Sequence, residues 1–369
     1  MLSRRETMAL GAAGLALPVI GEGAGHARTL DGGPPLVFAH RGASALRPEH
    51  TLEAYGRAIA DGADFIEPDL VMTKDGALVA RHENEIGGTT DVASRPEFAD
   101  RRSTKIIDGQ EMAGWFTEDF TLAELKTLRA IERLGAIRPA SQKHDGKYSV
   151  PTLAEVIAFT ARKAKEHGRT VGLIPEVKHS SYFASIGLPL EETLLTELAA
   201  HDYSRQCPVI IQSFEVANLR AIRARIDHRP NIRLLQLLED FSRQPADVML
   251  AGSSTTYGDM VSPVGLAKIA TYADAIGPWS RSIIPLDADQ RLGKPTSLVS
   301  DAHAAGLRVY VYTFRPENRF LPAELRGPGD DNMRHEGGSI AEIRRYLSLG
   351  IDGVFTDDSA VGRLAVDGA

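Results

Sequence analysis

The stretch that decides the fold is "LVFAHRGASALRPEHTLEAYGRAIADGADFIEPDL", residues 36–70. Two short apolar runs, 36–40 and 64–70, flank a segment in which Leu52, Tyr55 and Ile59 recur at helical spacing. Gly62 stands where that helix should end. A strand, a helix and a second strand in this order predict a parallel sheet with helices packed against it.

The same alternation continues to the end of the chain. Six further runs read as strands, and long helical patterns such as "TLAEVIAFTARKAKEHG" and "PLEETLLTELAAH" lie between several of them. The predicted strands cover residues 36–40, 64–70, 171–178, 208–214, 232–238, 274–278, 307–314 and 352–357. Eight strands with intervening helices predict an α/β fold of the (β/α)₈ TIM-barrel type. A doubly wound open sheet shares this alternation and stays open as the alternative.

Two segments depart from the barrel pattern. "DLVMTKDGALVARHE" (69–83) predicts a hairpin, because a Lys-Asp-Gly turn separates two apolar runs. Its return strand would bring His82 back over the barrel mouth. The stretch from about 86 to 148 then reads as a small insertion after this strand 2 hairpin, and residues 315–338 form a second irregular segment. Loops this long in a compact domain are usually functional or mobile.

Composition narrows the classes of function. The 369 residues carry a net charge of −7 and a single cysteine, Cys207. One cysteine excludes an intramolecular disulfide and a cysteine-rich zinc site. The negative charge and the lack of a basic block argue against a nucleic-acid partner. We expect one barrel domain over residues 36–365.

The first 27 residues resemble a targeting segment. Arg4 and Arg5 precede an apolar run at 8–20, and Gly25 and Ala27 suit cleavage after Ala27. This plan predicts a signal peptide over 1–27, of the twin-arginine type, followed by a linker over 28–35. An apolar run of this length is too short to cross a bilayer core of about 30 Å comfortably, so a membrane anchor is the weaker reading. We therefore expect the export machinery as a partner, a periplasmic or secreted product and no stable membrane insertion after cleavage.

Carboxylates end two neighbouring predicted strands. Glu67 and Asp69 share a face because alternate residues of a strand point the same way, and Glu176 ends the next strand. Three converging carboxylates repel one another unless a cation lies between them. Oxygen ligands favour Mg²⁺ or Ca²⁺ over zinc. The residues therefore predict one divalent cation, although salt bridges to Arg41 and Lys178 are the simpler alternative.

Cations and histidines complete the predicted site. Arg41 and Lys178 suit the oxygens of a phosphate group, and they would also suit a carboxylate. His40 ends the first strand and His82 ends the return strand of the hairpin. Two histidines facing one site could divide the base and acid roles of phosphodiester cleavage. His50 lies just before the first helix, where we expect it to support the junction of loop and helix.

Taken together, these motifs resemble the glycerophosphodiester phosphodiesterases, in their exported bacterial form. The resemblance rests on "HRG" (40–42), "PEHTLEAY" (48–55), "EPDL" (67–70), "TKDGALVARHE" (73–83) and "PEVK" (175–178), and later on "DGVFTD" (352–357). It implies a TIM barrel with a small insertion. It also implies hydrolysis of glycerophosphodiesters to sn-glycerol 3-phosphate and an alcohol.

The resemblance also implies roles for individual residues. His40 and His82 correspond to the acid–base pair, and Glu67, Asp69 and Glu176 to the metal ligands, with Ca²⁺ or Mg²⁺ as the ion. Phosphate and substrate contacts would come from Arg41, Lys178, Gln212, Trp279 and Tyr312. Glu83 departs from the family pattern, in which an aspartate commonly follows the second histidine.

Two other functions remain open from the sequence. A phospholipase-like phosphodiesterase acting on membrane lipids would share the barrel, the metal and both histidines. A non-enzymatic phosphate-ester binding protein would use the same scaffold without turnover. The low aromatic content, 6%, and the negative charge argue against membrane docking. The intact set of histidines and carboxylates argues against binding alone.

Overall fold

In a computed structural model of the chain, residues 28–226 and 229–368 are described. The strands are β1 Leu36–His40, β2 Phe65–Glu67, β3 Asp69–Met72, β4 Leu78–Ala80, β5 Ser103–Ile107, β6 Gln110–Gly114, β7 Gly172–Leu173, β8 Glu176–Val177, β9 Val209–Ser213, β10 Ile232–Leu238, β11 Ala275–Pro278, β12 Arg308–Phe314 and β13 Gly353–Thr356. The predicted signal peptide, 1–27, lies outside the described residues.

Helices connect these strands. They are α1 Leu52–Ala60, α2 Leu122–Leu125, α3 Pro139–Gln142, α4 Leu153–Glu166, α5 Ser180–Ser185, α6 Leu190–Ala200, α7 Asp202–Gln206, α8 Ala217–Arg223, α9 Ala246–Leu250, α10 Tyr257–Met260, α11 Pro263–Ile269, α12 Ser280–Ile283, α13 Leu298–Ala304, α14 Glu336–Leu347 and α15 Ser359–Asp367. Short 3₁₀ turns lie at Asp91–Ser94, Pro96–Arg101, Thr117–Asp119, Gly135–Ile137, Asn318–Phe320 and Ala323–Leu325. None of the helices in the described parts of the chain is long and apolar enough to span a membrane.

The strands close into a parallel barrel of eight strand positions, so the TIM-barrel prediction is confirmed and the open sheet is excluded. Closure follows from β1, which pairs with both β13 and β2, and from β10, which pairs with both β9 and β11. Two predicted strands are each split in the structure. Pro68 separates β2 from β3, and Pro175 precedes β8, because proline has no N–H to donate to a neighbouring strand.

The barrel interior is apolar below its carboxyl-terminal rim. Phe38 packs on Phe65, Tyr310 and Phe355, with ring centroids 5.3, 4.8 and 4.7 Å apart. These side chains belong to an inner core separate from the larger core between strands and helices. Since strand residues alternate, the position two residues further along each strand faces inward at the rim. His40 follows Phe38 in this way, and the same step leads to Glu67, Glu176, Gln212, Tyr312 and Asp357.

The predicted hairpin is confirmed. β3 and β4 pair antiparallel, and the backbone N–H of Arg81 donates to the carbonyl of Asp69 at 2.9 Å. This register returns the chain to the barrel mouth just before His82. Between β4 and α4 the chain then forms short helices and the β5–β6 hairpin. The predicted domain boundaries stay predictions.

Candidate active site

Three carboxylates converge at the barrel mouth, as the strand alternation predicts. Glu67, Asp69 and Glu176 are buried, and one oxygen from each lies within 4.8 Å of the others. Their parallel register explains the grouping, because Asp69 pairs with Glu176 across β3 and β8. Asp69 Oδ1 is buried and has no hydrogen-bond donor among the described residues.

The electrostatics of this cluster fit a cation. Burial and the neighbouring carboxylates raise the pKa of Glu67 well above its usual value. Burial also raises the pKa of Glu176, to about 8, with Asp69 adding to the rise and Lys178 opposing it. Three converging carboxylates, one of them with an unpaired buried oxygen, form a donor set that a hard divalent ion suits. Glu67, Asp69 and Glu176 could therefore hold a metal ion.

Each carboxylate is also held by a neighbouring side chain. Gln212 donates its amide to Glu67 at 2.9 Å, and Lys178 donates to Glu176 at 2.9 Å. His50 Nε2 lies 2.9 Å from Asp69 Oδ2. Burial opposes ionisation of Asp69, but Lys178 and His50 outweigh it, and the pKa of Asp69 falls well below its usual value.

Arg41 and Lys178 bring two positive charges to the cluster. The backbone N–H of Arg41 donates to Glu67 at 2.8 Å, an arrangement that its left-handed backbone, φ 61°, makes possible. Its guanidinium lies 3.2 Å from Glu49 and 3.5 Å from Asp69. Burial lowers the pKa of both cations, but the surrounding carboxylates outweigh it and raise the pKa overall. Both side chains therefore stay charged beside the site.

His40 is oriented by a carboxylate at the end of the last strand. Its Nδ1 lies 2.5 Å from Asp357 Oδ1. Burial and the nearby Arg41 lower the pKa of His40 to about 4. Arg138 in turn binds Asp357 and Glu317, which ties both irregular segments to the back of this histidine.

His82 follows β4 of the hairpin and lines the same cavity as Glu176 of the carboxylate cluster. Its side chain is 21% exposed, and Nδ1 lies 2.7 Å from Glu83 Oε1, although the ring N–H is not aligned with that oxygen. Burial, Arg41 and Lys178 lower the pKa of His82 well below its usual value. Glu83 takes the place of the aspartate that is common in the family, and its carboxylate still lies beside the His82 ring.

Two cavities adjoin the site. The larger, about 720 Å³, is lined by residues that include His82, Glu176, Lys178 and Tyr312. The smaller, about 180 Å³, is bordered by His40 and by arginines, namely Arg41, Arg133, Arg138 and Arg315. One predicted acid–base histidine lines each cavity, so the two cavities offer space for the two substituents of a phosphodiester.

Three residues implied only by the resemblance lie in different settings. Tyr312 lines the larger cavity and donates its hydroxyl to the carbonyl of Leu238 at 2.8 Å. Trp279 is 43% exposed at the end of β11, beside Tyr312. Gln212 is fully buried and donates to Glu67, and its contact with substrate stays a prediction.

Two other histidines make contacts that their positions in the sequence do not predict. His50 is not a helix-junction residue alone, because its buried ring spans from the Tyr55 hydroxyl to Asp69. His179 follows Lys178 and by strand alternation would point away from it, yet both residues line the larger cavity. The alternation argument fails there because His179 has left-handed backbone, φ 49°. Sequence alone gives no signal for either position, whereas Asp357 could have been assigned from its place at a strand end.

The sequence matches the glycerophosphoryl diester phosphodiesterase family over residues 40–361, which is most of the chain. The chain belongs to this family of phosphoric diester hydrolases. It is 35% identical to glycerophosphodiester phosphodiesterase GDPD6 of Arabidopsis thaliana over 337 residues, covering 88% of this chain and 83% of the relative. It is 28% identical to a glycerophosphodiester phosphodiesterase of Haemophilus influenzae over 308 residues, covering 76% and 79%.

Solved structures share the fold. A glycerophosphoryl diester phosphodiesterase described as putative, from Silicibacter pomeroyi, matches with a TM-score of 0.62 at 21% identity, over 91% of this chain and 95% of that one. An Oleispira antarctica phosphodiesterase, in complex with the product sn-glycerol-3-phosphate, matches with a TM-score of 0.56 at 20% identity, over 92% and 100%. The predicted family and enzyme class are confirmed. The exported bacterial type stays a prediction, and neither alternative function is favoured.

Proposed function

We propose that this chain hydrolyses glycerophosphodiesters to sn-glycerol 3-phosphate and an alcohol, using one divalent cation and two acid–base histidines. One observation carries the proposal. Buried Glu67, Asp69 and Glu176 converge within 4.8 Å of one another at the barrel mouth, and two histidines with carboxylate partners flank them, His40 by Asp357 and His82 by Glu83.

The two cations bind and orient the phosphate. Arg41, which follows β1, presents a planar fork for two phosphate oxygens. Lys178, which follows β8, adds a compact positive charge. Both stand within the same cluster of carboxylates, so their side chains are held before substrate arrives. Such pre-positioned charge stabilises the negative charge that develops on the phosphoryl oxygens.

The two histidines move the protons. With pKa values lowered by burial and neighbouring cations, both rings are neutral near pH 7 before substrate binds. A bound phosphodiester is an anion, and a nearby negative charge raises the pKa of a histidine. One ring can then accept the proton of the nucleophile while the other donates to the leaving oxygen.

Glu67, Asp69 and Glu176 would hold the ion, and Ca²⁺ or Mg²⁺ suits their oxygen atoms. A bound divalent cation supplies Lewis-acid polarisation of a phosphoryl oxygen. The side chains of His50, Gln212 and Lys178 keep the three carboxylates in place for it.

Turnover of a substrate panel tests the proposal. Glycerophosphocholine, glycerophosphoethanolamine and glycerophosphoglycerol are assayed for release of sn-glycerol 3-phosphate with Ca²⁺, with Mg²⁺ and with EDTA. We expect release with at least one metal and its loss in EDTA, restored by adding the metal back. Turnover unaffected by EDTA contradicts metal dependence, and hydrolysis of intact phospholipid vesicles instead of the panel supports the lipid-directed alternative.

We further propose export through the twin-arginine route, supported by Arg4, Arg5 and the apolar run that follows. The test expresses the full chain in a bacterium with an intact route and separates periplasm from cytoplasm. We expect a shortened product in the periplasm, and retention of the double variant Arg4→Lys, Arg5→Lys in the cytoplasm. Equal export of both forms contradicts this route.

A further inference from the structure

A chain of four titratable side chains leads away from His82. Glu83 Oε1 lies 2.7 Å from His82 Nδ1, and Glu83 Oε2 lies 3.0 Å from His179 Nε2. The other nitrogen of His179, Nδ1, lies 2.6 Å from Asp108 Oδ2. The order is therefore Asp108, His179, Glu83, His82, and all four line the larger cavity.

The two members farthest from His82, Asp108 and His179, owe their positions to backbone with positive φ. Asp108 and Gly109 form the two-residue turn of the β5–β6 hairpin, with φ 48° and 77°. Positive φ at both positions is the signature of a tight hairpin turn of the Asp-Gly kind. His179 follows β8 and also has positive φ. The turn of the inserted hairpin thus reaches a residue next to Lys178.

The contacts of His179 with two carboxylates determine the charge of its ring. A carboxylate oxygen lies within hydrogen-bond distance of each ring nitrogen, so both nitrogens must act as donors. Burial opposes the charged ring, but hydrogen bonds to Asp108 and Glu83 outweigh it and raise the pKa of His179 to about 9. A charged imidazole therefore stands against the second oxygen of Glu83.

We propose that His179, held by Asp108, is a positioning residue that orients Glu83 and thereby sets the tautomer of His82. This inference rests on the proposed acid–base role of His82. With one oxygen of Glu83 held by His179, the other stays beside His82 Nδ1. The negative charge 2.7 Å from Nδ1 favours the neutral tautomer of His82 that carries its proton on Nδ1, even without an aligned hydrogen bond. That tautomer leaves Nε2 with its lone pair free for proton transfer.

Glu83 needs the contact with His179 to keep its orientation, because burial alone does not fix its side chain. Its side chain is 33% exposed at the cavity wall, so without His179 it would be free to rotate toward solvent. His40 differs, since its partner Asp357 is buried and is also bound by Arg138 and Arg315. The two histidines are thus supported by different means, His40 from the barrel and His82 through the inserted hairpin.

The test compares His179→Gln and Asp108→Asn with the wild type on the best substrate of the panel. We expect kcat to fall by about 10- to 100-fold with KM within about twofold. We expect Asp108→Glu to keep more activity than Asp108→Asn, because it retains the carboxylate. His201→Gln is the matched control, since His201 also lies beside a carboxylate, Glu197 at 3.2 Å. Unchanged kcat in both His179→Gln and Asp108→Asn overturns the proposal.

A second readout does not depend on turnover. Imidazole ¹⁵N shifts of His82, assigned by comparison with His82→Gln, report which ring nitrogen carries the proton. We expect an Nδ1–H tautomer in the wild type and a mixture in His179→Gln, and an unchanged tautomer overturns the inference. If instead His82→Ala keeps full activity, the acid–base role in the proposed function fails, and the shifts still decide whether His179 orients His82.

Discussion

Residues of the same type have different surroundings at the barrel mouth, and the two histidines of the first motif show this. His40 and His50 are ten positions apart, but His40 faces the site with Asp357 behind it, whereas His50 is fully buried beneath Asp69. The sequence motif made both conspicuous, and only the position of His40 at a strand end distinguished it. The contact of His50 with Asp69 depends on the left-handed backbone of His50 itself, φ 54°, which no periodicity in the sequence reveals.

His50 is expected to act on metal affinity. Its Nε2 lies 2.9 Å from Asp69 Oδ2, and the Tyr55 hydroxyl lies 2.9 Å from its other nitrogen. Loss of such an outer partner typically weakens metal binding by about 10- to 100-fold. Calorimetric titration of His50→Gln with Ca²⁺ or Mg²⁺ checks this. His144→Gln is the control, because His144 contacts a tyrosine hydroxyl away from the carboxylates; equal affinity in both variants contradicts the role.

His179 makes stability depend on pH. Its folded pKa of about 9 exceeds the ordinary value of 6.5, so its contribution is fully present below pH 6.5 and is lost as pH rises through 9. The wild type should exceed His179→Gln in free energy of unfolding by about 3 kcal/mol at most near pH 6. Urea unfolding at pH 6 and pH 10 measures the difference. A difference that is constant or grows with pH contradicts the assignment.

Among the elements, the β3–β4 hairpin is fixed to the barrel by a buried arginine. Arg81 donates to the carbonyls of Glu49 and His50 at 2.8 Å, and to that of Thr89 at 3.1 Å. It therefore joins the loop after β1 to the strand that carries His82. The hairpin itself could be predicted from its turn, but this anchor could not, because lysine and arginine at such positions are normally solvated.

Removing this anchor should destabilise the protein strongly. Arg81→Met leaves several buried carbonyls without a donor, at a cost of about 1 to 3 kcal/mol for each group left unpaired. Arg57→Met is the control, because Arg57 forms an exposed pair with Asp61, and such pairs contribute less than about 1 kcal/mol. Urea unfolding compares the two variants. Similar small losses in both would show that Arg81 does not anchor the hairpin.

For the molecule as a whole, the barrel and the core of its site could be predicted from one rule. Inward positions alternate along each strand, so the apolar layer at Phe38 and Phe355 fixes the polar layer at His40 and Asp357 above it. The sequence could not show contacts made across long chain separations. Arg138, from the segment after β6, reaches Asp357, and Asp108 reaches His179, because non-local packing decides both.

The central claim is that two histidines beside a carboxylate cluster carry out the proton transfers of phosphodiester hydrolysis. The direct measurement is kcat for release of sn-glycerol 3-phosphate from glycerophosphocholine, with metal present, by the wild type, His40→Ala and His82→Ala. Circular dichroism and thermal unfolding confirm that each variant is folded. We predict a loss of at least about 100-fold in each variant. Wild-type kcat in either folded variant would contradict the account.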